Sequence, residues 1–176
     1  MPRIPYMDED TMQVSPDFLA AIKQRRPNGR LLNLDRILLH SEPLTAGWQI
    51  FFTKLRQELH ISGQIRELVI LRVALINHAP YEFAQHGFEA LKEGITQTKI
   101  DALTNWQDSL LFDKPEQAAL AYTDAMSKLV QVPDPVFANL RTHFNEQAIV
   151  ELTAVIAGYN MGSRFLEALQ ITTEGE

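Results

Sequence analysis

The segment from Ile65 to Ile76 constrains the fold more than any other part of this chain. Its apolar residues fall at almost every angle of a helical wheel, which is typical of a helix buried on all sides. Two charged residues, Glu67 and Arg72, interrupt the pattern, and each has apolar neighbours on the wheel. An unpaired buried charge costs several kcal/mol, so we expect each of them to be paired or functional.

A second helix is predicted directly after Pro80, which cannot continue the first helix but is favoured in the first turn of the next. That helix is expected to stop at Gly94, a C-terminal cap. Glu82 and His86 stand at i and i+4, at the border of the predicted apolar arc. Such a pair can act as an acid and base at the edge of a core, although the same spacing also fits a solvated helix pair. The arc itself comprises Phe83, Ala84, Gly87, Phe88, Ala90 and Leu91.

The rest of the chain predicts an all-α fold, since no segment alternates with a period of two for long enough to form a strand. Residues 1–14 have no helical period, so we expect an extended arm that wraps the body or a neighbouring subunit. Residues 15–176 are then a single helical domain. In the last predicted helix, Glu151-Leu152 corresponds to Glu67-Leu68, which hints at a weakly duplicated helical hairpin.

Composition excludes several classes of function. The 176 residues include no cysteine, which removes disulfides, thiolate metal sites and cysteine nucleophiles. A net charge of −6 without a basic stripe argues against nucleic acid, and the nearest approach to a stripe is the segment Lys23–Arg30, with four cations. No apolar run is as long as a membrane span and no targeting pattern is visible, so we expect a soluble cytoplasmic protein without a membrane partner.

An aromatic stripe in the segment before the central helix includes Trp48 and Phe52. Its helical spacing predicts that these side chains belong to the core, and the alternative is a platform for a ligand.

The sequence RELVILRVALINHAPYEFAQHGFEALKEGIT, residues 66–96, resembles the signature of the carboxymuconolactone decarboxylase and alkylhydroperoxidase D-like superfamily. Similar segments upstream and downstream extend this resemblance over nearly the whole chain. The resemblance implies an all-helical bundle built round the central hairpin. It also implies a homo-oligomer, from a dimer to a hexamer.

The superfamily contains two chemistries. In its peroxidase branch, a Cys-x-x-Cys motif precedes a His, and a Glu on the preceding helix completes a proton relay. His86 and Glu67 match that His and that Glu, but the two cysteine positions hold Ala79 and Glu82, which disfavours a peroxidase activity. The decarboxylase branch has an acidic residue and the His without the cysteines. The resemblance therefore implies a cofactor-free lyase that acts on a small carboxylated lactone or a related acid.

That reaction assigns expected roles to the three polar residues of the hairpin. It requires a desolvated carboxylate, a stabilised enolate and a proton delivered to carbon. We expect His86 to donate the proton, Glu82 to orient the imidazole and hold its charge, and Glu67 to be a buried second acid or a further orienting group. The expected substrate-binding residues are Tyr81, as a hydroxyl donor, and Arg72 or Arg164, as a cation for the substrate carboxylate.

Three alternatives remain open from the sequence. Arg72 pairs with Glu67 or Glu151 in a structural bridge, or the protein is a non-catalytic oligomeric or ligand-binding member of the fold. The third alternative is a divalent ion that Glu82 and His86 share with Glu67 or His78. These side chains come from two helices and no clear third ligand is visible, so we expect neither a metal nor a cofactor.

Overall fold

The computed structural model describes residues 2–175, apart from the side chain of Pro27. Met1 and Glu176, the outer ends of the expected arm and domain, lie outside the described residues. Over the described range the chain is all-α, as predicted, and no helix there is long and apolar enough to cross a membrane. The helices are α1 (Pro16–Gln24), α2 (Asn33–Leu38), α3 (Glu42–Gln57), α4 (Gly63–Ile76), α5 (Pro80–Lys92), α6 (Gln97–Ala102), α7 (Lys114–Leu129), α8 (Asp134–Arg141) and α9 (Glu146–Leu169).

Helix α4 forms the centre of the molecule and packs against α5, α7 and α9. It begins after Ser62, whose side chain accepts a hydrogen bond from the backbone N–H of Ile65 at 3.2 Å and so caps the first turn. Every residue from Glu67 to Ala74 is buried. The prediction of a helix enclosed on all sides is therefore confirmed.

Helix α5 turns a different face inward from the apolar arc that the sequence predicts. Phe88 and Leu91 are 69% and 46% exposed, whereas Glu82 and His86 are only 7% and 6% exposed. The predicted arc is therefore only partly right. Ala90 and Phe83 do pack in an apolar cluster, but the adjoining polar side of α5 lines a cavity while Phe88 and Leu91 face outward. Its predicted end is confirmed, since Gly94 has a φ of +87°, in the left-handed region that favours glycine.

The two chain ends lie close to the helical hairpin. Residues 3–7 run along the C-terminal end of α9, where the backbone N–H of Arg3 donates to the carbonyl of Leu169 at 2.9 Å. The segment after α9 returns to α5, and Glu174 accepts a hydrogen bond from the hydroxyl of Tyr81 at 2.7 Å. The C-terminal segment thus fixes the first turn of α5, on which the candidate site is built.

The two glutamates that align in the possible duplication have different surroundings. Glu151 accepts hydrogen bonds from the backbone N–H groups of His60 and Ile61 at 2.8 and 2.9 Å, just before α4 begins. Glu67 instead lies inside the hairpin and is 2% exposed. Any duplication therefore does not extend to the polar site.

Candidate functional site

A cavity of about 450 Å³ lies against α3, α4, α5 and α9, and this size fits a small-molecule ligand. The aromatic stripe of α3 forms part of its wall, so that stripe belongs both to the core and to the cavity. The polar wall groups come from α3, α4, α5 and α9 and from the residues that follow α1. The principal lining residues are Trp48, Phe52, Glu67, Glu82, His86 and Tyr159.

Glu67 and His86 form a buried hydrogen-bonded pair across the hairpin. Glu67 Oε2 lies 2.7 Å from His86 Nδ1, and both side chains are almost completely buried. An ionised carboxylate can only accept, so Nδ1 carries the proton of this bond. His86 Nε2 is therefore the ring atom that can exchange a proton with a molecule in the cavity.

The carboxylate of Glu67 is held in its ionised form by its neighbours. Burial raises the pKa of Glu67, but the hydrogen bond and charge of His86, followed by those of Arg66, outweigh burial and hold the pKa below its usual range. Arg66 Nε lies 3.1 Å from Glu67 Oε1, and the same guanidinium reaches Glu93 at 3.0 Å. Glu67 is thus suited to orient the imidazole and to stabilise its protonated form.

Glu82 is the second carboxyl group at His86, but it has the opposite electrostatic character. Its Oε2 lies 3.5 Å from His86 Nε2, one helical turn away on α5. Burial raises the pKa of Glu82, and the charges of His86 and Arg56 only partly offset this effect. Gly162 of α9 permits this burial, since a Cβ there would lie 3.1 Å from Glu82 Oε1. The site therefore places one carboxyl group with a lowered pKa and one with a raised pKa on either side of one imidazole.

Tyr159 of α9 completes the buried wall. Its ring meets the His86 ring edge to face, with centroids 4.8 Å apart, and Phe52 packs on its other side. The Tyr159 hydroxyl is buried and makes no hydrogen bond within residues 2–175. Unpaired buried polar atoms are rare, so this hydroxyl is a candidate contact for a ligand.

The structure brings Glu67, Glu82, His86 and Tyr81 to one cavity, but it places the two expected substrate cations elsewhere. Arg72 pairs with neither Glu67 nor Glu151. Its Nε and Nη2 atoms bind the carboxylate of Asp124 at 2.6 and 2.9 Å, while Nη1 donates to the Leu103 carbonyl at 3.0 Å. This buried pair neutralises the charge that the apolar pattern of α4 left unexplained.

Arg164 is exposed, and its Nη1 donates to the backbone carbonyl and side-chain oxygen of Asn160 within α9, at 2.9 and 2.7 Å. Neither Arg164 nor Arg72 lines the cavity at His86. Tyr81 does line it, but its hydroxyl is already engaged by Glu174. The two cations expected to bind the substrate carboxylate, Arg72 and Arg164, therefore lie outside this cavity.

The described part of the chain contains no group of three or more His, Asp or Glu side chains arranged to hold a metal ion. His78, considered from the sequence as a metal ligand, lines a separate depression beside Arg72 and not the cavity at His86.

Sequence reasoning missed Tyr159 and four cations that line the cavity, Arg25, Arg26, Arg56 and Arg66. Arg25 belongs to the cation-rich segment Lys23–Arg30, which is visible in the sequence but has no spacing typical of a binding site. Arg56 and Tyr159 carried no comparable signal, since each stands in an ordinary amphipathic helix.

The opposite pKa shifts of the two carboxyl groups lead to a stability prediction for Glu82→Gln. The folded state keeps the Glu82 proton to higher pH than the unfolded chain, so wild-type stability falls as the pH rises above the unfolded pKa. Glutamine imitates the protonated acid and lacks this loss. We expect Glu82→Gln to gain stability relative to the wild type at about pH 7.5 and to differ little at about pH 4, in urea unfolding.

Glu89→Gln is the matched control, since the Glu89 side chain is 50% exposed on the same helix. An equal difference between Glu82→Gln and the wild type at both pH values would show that Glu82 is ionised in the folded protein.

The sequence profile and the all-α fold of this chain identify the family to which it belongs. The chain belongs to the carboxymuconolactone decarboxylase family, whose sequence profile matches residues 42–125. It is also similar to the uncharacterized protein YnjA of Escherichia coli strain K12, with 31% identity over 121 residues, which span 68% of this chain and 66% of that protein.

Two solved structures share the fold. An uncharacterized peroxidase-related protein with an alkylhydroperoxidase AhpD core, from Ralstonia eutropha JMP134, has a TM-score of 0.86 and 16% identity, covering 99% of this chain and 93% of its own. A variant of the debrominase Bmp8 in complex with 2,3,4-tribromopyrrole has a TM-score of 0.80 and 19% identity, covering 97% and 90%. At these identities the likeness establishes the alkylhydroperoxidase D-like fold alone.

Proposed function

We propose that this protein is a cofactor-free acid–base enzyme of the decarboxylase type, which acts on a small carboxylated lactone or a related unsaturated acid. The observation that carries the proposal is the 2.7 Å bond between Glu67 and His86 Nδ1 at the wall of the cavity. This bond fixes the tautomer and leaves Nε2 for proton exchange with a bound molecule.

The proposed reaction breaks the bond between the carboxylate carbon and the substrate carbon that bears it. The electron pair of that bond passes into the adjacent unsaturated system as an enolate, and carbon dioxide leaves. One proton then adds to carbon, so the consumed proton and the released carbon dioxide balance the reaction. The cavity walls of Trp48 and Phe52 favour this step, because a less polar environment destabilises the carboxylate more than the delocalised enolate.

His86 is the proposed proton donor through Nε2. The ionised Glu67 stabilises the imidazolium that precedes proton transfer. Glu82 lies one helical turn away and has a pKa that burial raises, so it is placed to resupply a proton to Nε2 after each turnover. The three residues thus act as donor, orienter and proton reserve.

A thiol peroxidase reaction does not suit this chain. The positions that match the two cysteines of the peroxidase branch are Ala79, at the start of α5, and Glu82, and the chain contains no cysteine. Reduction of a peroxide through a disulfide needs two sulfur atoms that can approach each other.

A second candidate is a non-catalytic ligand-binding member of the fold. It is favoured by the complete pairing of Glu67, which hydrogen-bonds to both His86 and Arg66 and so would serve as a purely structural network. Ligand binding without turnover is the result that would support it.

The test of the proposed activity is release of carbon dioxide from a panel of small unsaturated acids and carboxylated lactones, compared with their saturated analogues. We expect release only from acids whose carboxyl-bearing carbon adjoins the unsaturated system. Release from none of them would favour the binding module.

We also propose that the chain assembles with copies of itself into a homo-oligomer. Phe88, Leu91 and Leu110 are 69%, 46% and 101% exposed, and apolar side chains of this size are typical of an interface when they cluster. We expect light scattering at micromolar concentration to give at least twice the mass of one chain. The mass of a single chain at every concentration would refute the assembly.

A further inference from the structure

Four arginine side chains reach the cavity, and two of them have a carboxylate partner. Arg26 Nε binds Asp35 at 2.7 Å, and Arg66 pairs with Glu67 and Glu93. The other two, Arg25 and Arg56, have no carboxylate within 4.0 Å among residues 2–175. The cavity is thus lined by two cations that no described carboxylate contacts, although Asp35 and Glu82 act on them at longer range.

These two cations act on each other across the cavity wall. The pKa of Arg25 is lowered first by burial and then by the charges of Arg56 and Arg26, although Asp35 partly opposes them. Arg25 is held in place, since its Nη2 donates to the backbone carbonyl of Gln49 at 3.1 Å. Two fixed like charges repel, and an anion bound beside them would remove that repulsion.

The Tyr159 hydroxyl adds a neutral donor to the same place. Tyr159 is 1% exposed, and its hydroxyl makes no hydrogen bond of good geometry among the described residues, but the guanidinium of Arg56 lies close enough to act as a donor to it. The charge of Arg56 acts on this hydroxyl and partly opposes the rise in the pKa of Tyr159 that burial causes. A buried hydroxyl whose own proton has no acceptor, beside a guanidinium without a carboxylate partner, forms a donor set that suits a carboxylate.

The adjoining wall is aromatic. Trp48 and Phe52 stack with their ring centroids 4.7 Å apart, and both line the cavity. The cationic and the aromatic parts of the wall together fit a ligand with a charged end and a flat apolar body.

We propose that Arg56, with Arg25 and the Tyr159 hydroxyl, forms a carboxylate-binding subsite for a small acid whose flat apolar body lies against Trp48 and Phe52. This proposal rests on the proposed function in that it places a carboxylate of the same substrate. It assigns the role that the sequence suggested for Arg72 and Arg164 to residues that do line the cavity.

The test uses benzoate as the probe and benzamide as its uncharged analogue, in calorimetric titrations at constant ionic strength. We expect the wild type to bind benzoate and to bind benzamide at least about tenfold more weakly. Arg56→Gln should weaken benzoate binding at least about tenfold and leave benzamide binding unchanged. Arg164→Gln, an exposed arginine of α9, is the matched control and should bind benzoate as the wild type does.

Arg56→Lys should bind benzoate with intermediate affinity, since it keeps the charge but loses the guanidinium fork. If Arg56→Gln does not fold, Arg25→Gln replaces it in the titration, and we expect Arg25→Gln to lose benzoate binding. Equal affinity for benzoate and benzamide, or benzoate binding that survives both glutamine variants, would overturn the subsite.

His86→Gln separates this subsite from the proposed catalysis. We expect it still to bind benzoate more tightly than benzamide, because the charge of the subsite comes from Arg56 and Arg25 and not from the imidazole. The binding result therefore holds whether or not any acid is decarboxylated, and release of carbon dioxide tests the catalytic proposal by itself.

Discussion

His86→Ala is expected to lower kcat/KM for decarboxylation by at least about a hundredfold, the usual contribution of a positioned general acid. The physical reason is the loss of Nε2, the only imidazole nitrogen not engaged by Glu67. The measurement is the initial rate of carbon dioxide release, with the acid from the panel that reacts fastest. The variant should also be less stable than the wild type, since His86 is 6% exposed and is a partner of a buried carboxylate.

His86→Gln distinguishes lost chemistry from lost stability. A glutamine amide can donate a hydrogen bond to Glu67 but cannot exchange a proton at neutral pH. We expect His86→Gln to be more stable than His86→Ala and equally inactive. Activity within tenfold of the wild type in His86→Gln would remove the imidazole from the mechanism.

Glu67→Ala is expected to lower the free energy of unfolding by about 3 to 5 kcal/mol, the range found when one partner of a buried charged pair is removed. Glu67 is 2% exposed and accepts hydrogen bonds from both His86 and Arg66. Its loss leaves the Nδ1–H of His86 without an acceptor and removes one of the two carboxylate partners of Arg66. Urea unfolding at neutral pH measures this difference.

The pH dependence provides a second check on Glu67. Its pKa is lower in the folded protein than in the unfolded chain, so its ionised form contributes stability that is present above the unfolded pKa. That contribution is lost as the pH falls through the folded pKa. The destabilisation of Glu67→Ala should therefore shrink in acid.

Glu93→Ala is the matched control, because Glu93 pairs with the same arginine but its side chain is 40% exposed. An exposed ion pair contributes at most about 1 kcal/mol, so we expect a small effect. If Glu67→Ala were as stable as Glu93→Ala, the carboxylate of Glu67 would be in contact with water and not inside the hairpin.

The sequence was sufficient to predict the fold class and the central hairpin. The buried helix α4 follows from its unbroken apolar character, and the start of α5 follows from Pro80, which has no N–H to donate. These predictions succeeded because they depend on neighbours within one or two helical turns. The proximity of Glu67 to His86 came from the family resemblance, since no spacing rule joins two residues on different helices.

The orientation of α5 could not be predicted in the same way. A helical wheel assumes that the most apolar face turns inward, and Phe88 is nevertheless 69% exposed. The assumption fails where a helix lines a polar cavity, since polar side chains then face inward. Glu82 and His86 are such residues, and the aligned Glu and His of the family were a better guide to them than hydrophobicity was.

The partners of the arginine side chains could not be predicted either, because they lie far away in sequence. Arg72 pairs with Asp124, 52 positions away in sequence, and no local pattern on α4 predicts that partner. Arg25, Arg56 and Tyr159 come from three separate helical segments, or their ends, and meet only when the bundle closes. Their convergence depends on packing, which one sequence does not reveal.

Decarboxylation carried out in D₂O most directly tests the proposal that this protein releases carbon dioxide from its substrate and that His86 supplies the proton. The account predicts that each molecule of carbon dioxide released leaves one deuterium at the carbon that receives the proton, and that both signals fall together in His86→Gln. Nuclear magnetic resonance of the product and the rate of carbon dioxide release measure the two quantities. Undiminished release by His86→Gln, or a panel of acids from which the wild type releases no carbon dioxide, would contradict it.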